Sequence, residues 1–285
     1  AMTVLPKLIK FLIVCYLFWT GAGLISFIYA WFATSFIGVL MHTVVSWHFF
    51  KKDIKKLNQE TQDLVITPWK KGRLFSPKHG TWKFVFGLYT DQTVAISTGQ
   101  FAPLFLASLM GPSAAGLYKL ALKISASVIA PVNKLLLPAV FTDMAWLQSG
   151  KSGKQTRKMV VRLGAIMGCV SILLLGILIF IGKPLINLIA SPEYLDAYIP
   201  MLILVLKTTF TAATFTIYPL LVTAGKAYHY AFFQLVEFAI YIAILMPLIN
   251  LYGIIGAATA AMVASVIPKI PMFLYAMRVI EEKEK

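Results

Sequence analysis

Lys119 and Lys123 stand four residues apart in an otherwise apolar stretch, so a helix projects both ammonium groups from one face. Lys207 sits well inside another apolar stretch. Three ammonium groups at comparable depth form a cationic ring suited to a polyanion such as a pyrophosphate, since opposed charge offsets the cost of holding ions away from water. A lysine of this kind can also snorkel to an interface or pair with a carboxylate, and for Lys119 alone that is the plainer reading. Asp91 and Glu237 are the carboxylates set deepest in apolar stretches. They can accept a coupling proton or sodium ion, gate the inner side by pairing with lysines, or serve as structural ion pairs. Gln92, Gln100, Thr208, Thr211 and Tyr218 offer hydrogen bonds to a polar ligand or water from the same stretches, and Asn133, Lys134, Gln234 and Lys269 are further polar groups there.

The elements holding these groups must be membrane helices. Of the 285 residues 59% are hydrophobic and 13% charged, and the mean hydropathy is +0.79, so one water-soluble core cannot hide the apolar surface. The fold expected is all-α and polytopic. Eight spans are read: two within 11–50 joined by a tight turn near Tyr29 to Thr34, then 84–110, 114–141, 160–181, 197–223, 230–250 and 253–276. Lysines and arginines collect on one set of loops, chiefly 51–83 and 151–162, whereas the opposite loops hold only Lys183. That asymmetry explains most of the +15 formal charge without nucleic acid and predicts both termini in the cytoplasm.

Other chemistries lack their residues. Cys15 and Cys169 form no spaced framework, the four histidines have no ligand spacing, and Gly21 and Gly23 begin a dinucleotide fingerprint that Ser26 does not complete. With no Walker A sequence, active transport must draw on an ion gradient, a potential or a partner. The polar segment after residue 50 starts amphipathic, with Ile54, Leu57, Thr61, Leu64 and Val65 on one face, and reads as a linker on the membrane surface. Pro131 and Pro138 free backbone carbonyls and let the fourth span bend. Gly253, Gly256, Ala257, Ala260, Ala261 and Ala264 form a small-residue stripe for close helix packing.

The segment Leu109 to Ala121, with Gly111, Ala114, Gly116, Tyr118 and Ala121 in register, resembles the LG-x-x-A-x-G-x-Y-x-x-A signature of the polysaccharide and O-antigen flippases of the MOP exporter superfamily. Asp91 upstream, the basic loop around Lys151 to Lys158, the stretches from Gly182 to Ile189 and from Leu221 to Lys226, and the Tyr252 to Ala258 turn follow in the family's order. The resemblance covers residues 82–280. It implies two six-helix bundles, of which residues 1–50 would hold the last two helices of the first, 51–83 a basic cytoplasmic linker, 84–278 the second bundle and 279–285 a cytoplasmic tail. About four further spans are then expected ahead of this chain.

By the same resemblance the expected function is flipping of a polyprenyl-diphosphate-linked oligosaccharide by alternating access in the bacterial plasma membrane, with no enzymatic step and no cofactor beyond a coupling proton or sodium ion. Lys123, Lys207 and Lys119 would neutralise the diphosphate. Two other readings stay open: a multidrug or lipid II exporter of the same superfamily, and a membrane glycan polymerase or glycosyltransferase. An enzyme of that kind needs catalytic acids in a large outer loop, whereas the longest one here offers Glu193 and Asp196.

Overall fold

The computed structural model describes residues 12–13, 15–17, 19–21, 24–60, 81–149 and 153–281. The chain forms two compact units, Ala1–Lys71 and Gly72–Lys285. Every regular element among the described residues is helical.

In the first unit a helical stretch ends where Thr20 donates its amide and hydroxyl back to Tyr16 O, at 3.0 and 3.2 Å, and Gly21 turns the chain with φ 66°. Helix α1 (Leu24–Glu60) then runs unbroken through the place where Tyr29 to Thr34 predicted a reversal. The correction has a simple cause. Left-handed backbone is cheap only for glycine, which 29–34 lacks, and Thr34 ties its hydroxyl to Ala30 O at 2.8 Å inside the helix. At 37 residues α1 outruns the hydrocarbon core, and its apolar window is Phe32–Phe49. Lys51 reaches back over the Trp47 ring at 5.6 Å, a cation on an aromatic at the end of that window.

The second unit opens with α2 (Thr81–Met110), a turn at Gly111 (φ 91°) and α3 (Pro112–Pro131). The bend expected from the prolines appears as a π-helical turn over Val132–Leu136, after which α4 (Leu137–Ser149) continues the rod. Next come α5 (Gly153–Ile189), a 3₁₀ turn (Pro192–Ala197), α6 (Tyr198–Ala213), α7 (Ile217–Thr223) and α8 (Ala227–Glu281). Gly253, with φ 58° and ψ −130°, breaks α8 into two antiparallel arms. Gly256 must be glycine for the arms to close, because any β-carbon there would strike the Leu248 carbonyl.

α6 is the central element, packed against α3, α5 and α8, with Met201, Leu204 and Val205 fully buried. It meets α5 through Gly164 and Gly168, where backbone approaches Ala213 closely. One apolar cluster gathers around Leu106, Tyr118, Met201, Leu204, Tyr241 and Leu245; a second, toward the other ends of the helices, gathers around Met144, Ile217, Leu220 and Ala276. Large apolar side chains such as Phe86, Leu173, Phe180 and Leu188 point outward, as in helices surrounded by lipid.

Among the described residues five helical stretches are long and apolar enough to cross a bilayer: Phe32–Phe49, Val85–Met110, Gly153–Ile189, Pro192–Thr223 and Ala227–Glu281. The last holds both arms of α8, and so two of the eight predicted spans. α3 is not among the five. The chain is an all-α polytopic membrane protein.

Candidate functional site: a charged cavity inside the helix bundle

α6 does not run straight into α7. Thr214–Thr216 forms a hydrogen-bonded turn between them, although the hydropathy of 197–223 reads as one span. Hydroxyls make this break tolerable in an apolar setting. Thr214 donates to Phe210 O at 2.9 Å, Thr211 to Lys207 O at 3.2 Å, and the buried Thr216 to Val160 O on α5 at 3.4 Å. Pro219, one turn into α7, has no amide to continue the ladder.

The broken segment borders a cavity of about 270 Å³ between the two apolar clusters. Lys207 and Thr211 enter from α6, Thr214 and Phe215 from the break, and Tyr218 from α7. Thr98 and Gly99 come from α2, Tyr118 and Leu122 from α3, Tyr230, Gln234 and Glu237 from the first arm of α8, and Ala261, Lys269 and Met272 from its second arm. Lys269 Nζ lies 3.2 Å from Glu237 Oε2 and donates to Ser265 Oγ at 2.6 Å, with side-chain exposures of only 13% and 12% across the ion pair. Such a desolvated pair is sustained by its extra hydrogen bonds. It also fastens the two arms of α8 together, because residues 237 and 269 stand equally far from the turn at Gly253.

Lys207 is half-buried on the same cavity, feels the charges of Glu237 and Lys269, and makes no ion pair or hydrogen bond among the described residues. Among the described residues two ammoniums face one carboxylate there, a formal excess of one positive charge. At one border Tyr218 meets Phe141 edge-on at 5.4 Å and Tyr230 at 4.9 Å. Beyond them His229 stacks on Tyr275 at 5.2 Å, and Lys226 lies over the same ring at 5.8 Å.

Of the residues singled out by sequence, Lys207, Thr211, Tyr218 and Glu237 therefore meet in one place. Thr208 lies outside the lining, with its hydroxyl turned back to Val205 O at 2.7 Å. Lys119 and Lys123 occupy exposed positions on α3 and do not line the cavity, nor do the exposed Gln92 and Gln100 on α2. The Asp91 side chain lies outside the described residues. Sequence reasoning noted Lys269 and Gln234 as intramembrane polar groups but did not place them with Lys207; the available signal was the equal spacing of 237 and 269 about Gly253. Tyr118, Thr214 and Tyr230 were missed.

A stretch of 127 residues is 28% identical to the inner membrane protein YghQ of Escherichia coli (strain K12), covering 42% of this chain and 33% of that protein. The chain thus matches about a third of the length of that relative. No family profile matches the chain, and no solved structure does.

Proposed function

We propose that this chain is part of an inner-membrane secondary transporter that carries a polyprenyl-diphosphate-linked oligosaccharide from the cytoplasmic to the outer leaflet by alternating access. The observation that carries this reading is a cavity at a break in a membrane helix where, among the described residues, Lys207 stands without an ion pair beside the Lys269–Glu237 bridge. Discontinuous helices with polar groups beside them are the usual construction of transporter binding sites. The resemblance of residues 82–280 to the flippases and the partial likeness to an inner membrane protein point the same way.

In this mechanism the diphosphate enters beside Lys207 and competes with Glu237 for Lys269. Protonation of Glu237, or a sodium ion on it, releases Lys269 and raises the positive charge offered to the substrate. At roughly 30 Å³ per water the cavity holds about nine waters' worth of space, room for a diphosphate and too little for an oligosaccharide. The sugars pass only when helices part, and the turn at Thr214–Thr216 and the π turn at Val132–Leu136 are the pliable points. Lys119, Lys123, Gln92 and Gln100, exposed on α2 and α3, supply polar positions along the glycan's route outside the cavity. Both termini are cytoplasmic, and no bond of the substrate is made or broken.

The test is complementation of a flippase-deficient bacterium with the natural protein that contains this chain. Surface glycan is scored against lipid-linked precursor retained inside. Restored surface glycan supports translocation; a membrane-inserted protein that leaves precursor trapped across several glycan backgrounds rejects it.

A further inference from the structure

A larger hollow, about 720 Å³, opens at the end of the second unit that carries the Gly253 turn, away from the cavity of Lys207. Its volume falls within the range of roughly 300 to 1,000 Å³ typical of small-molecule sites. Met110, Leu195, Ile199, Ile254 and Ile255 give it apolar walls, and its charges are Lys183 and Asp196.

The cationic side is built rather than incidental. Tyr198 is fixed by donating its hydroxyl to Ile179 O at 2.7 Å, and its ring lies so close to Gly182 that a β-carbon there would come within 2.8 Å of it. The Lys183 ammonium rests over that ring, 5.4 Å from the centroid, with no carboxylate partner among the described residues. Asp196, in the 3₁₀ turn, also lines the hollow, exposed and without a hydrogen bond or ion pair among the described residues. Two opposite charges thus border one apolar hollow without neutralising each other.

We propose that this hollow binds the head group of an aminophospholipid, its phosphate on Lys183, its primary ammonium on Asp196 and its acyl chains along Ile199 and Leu195. The place suits such a ligand, because the hollow lies at the ends of membrane spans, where head groups meet hydrocarbon. Charge complementarity selects a zwitterion over a purely anionic lipid, since Asp196 repels a second negative charge. A primary ammonium donates hydrogen bonds to a carboxylate and a quaternary one cannot, and the Tyr198 face, the aromatic surface a choline group would need, is taken by Lys183. The inference does not depend on what the protein transports.

Native mass spectrometry of the full chain in detergent, titrated with phosphatidylethanolamine, phosphatidylcholine and phosphatidylglycerol of identical acyl chains, tests it. The expected result is retention of phosphatidylethanolamine roughly tenfold over the other two, the scale of one charged hydrogen bond. Asp196→Asn should remove that preference, Lys183→Gln should weaken retention of all three lipids alike, and Lys183→Arg should keep both retention and preference. Both side chains are exposed, so the variants leave the core untouched. Equal retention of the three lipids overturns the proposal. So does strongest retention of phosphatidylglycerol that Asp196→Asn enhances, which would mark a simple anion site.

Discussion

Lys207 and Lys269 share a cavity but differ in their company, and that difference separates function from stability. Lys269 is held by Glu237 and Ser265, whereas Lys207 has no ion pair or hydrogen bond among the described residues and can meet an anion. Lys207→Ala should therefore abolish glycan export while membrane insertion and yield stay normal, as measured by surface glycan against protein in the membrane fraction. Glu237→Gln should act differently. Breaking one side of a buried pair strands the other charge, at a cost of about 3 to 5 kcal/mol, so thermal unfolding in detergent should shift sharply downward. Replacing both partners with apolar residues, Glu237→Leu with Lys269→Met, should restore most of the melting temperature but not transport. Recovery of transport in that double variant would assign the pair a purely structural role.

Individual elements are shaped by where backbone can approach backbone and where it can turn. Gly164 touches the Ala213 carbonyl so closely that a β-carbon would come within 2.5 Å of it, so Gly164→Val should push α5 from α6 and cost about 1 to 3 kcal/mol. Gly176→Val, on the same helix with open space around it, should be nearly neutral in the same unfolding assay. Turns at glycine were largely legible: the loop at Gly111 and the hairpin at Gly253 lie where the apolar runs break. The turn at Gly21 was misplaced because a long charge-free run offers hydropathy no boundary, and only the left-handed backbone of a glycine marks it. Hydropathy was equally blind to the break at Thr214–Thr216. The turn keeps backbone bonds from Phe215 N to Ala212 O and from Ile217 N to Thr214 O and contains no charge, glycine or proline, so in hydropathy it looks like continuous helix.

For the molecule as a whole, fold class followed from composition and run length, which are local properties, and the structure agrees. The site was half legible. Lys207 and Glu237 stand out because charge in hydrocarbon is costly, but their grouping with Lys269, Tyr118 and Tyr230 depends on contacts between residues far apart in the chain, which no single window contains. Orientation rests on the lysine asymmetry and has its own check. In a background lacking Cys15 and Cys169, a membrane-impermeant maleimide applied to intact cells should label Ser113→Cys at the Gly111 turn. Arg278→Cys near the end of α8 should be labelled only after permeabilisation, and the reverse pattern would invert the proposed topology.

The central claim is that the cavity of Lys207, Glu237 and Lys269 is open to water and receives a diphosphate. The direct measurement is the labelling rate of Thr211→Cys, in the same cysteine-free background, by a small anionic thiosulfonate with and without a short-chain polyprenyl diphosphate. Thr211 lines the cavity one turn from Lys207, so the thiol should react and the diphosphate should slow it several-fold, with protection lost on Lys207→Ala. A thiol that stays unreactive, or reacts at one rate whether or not the diphosphate is present, would contradict the account.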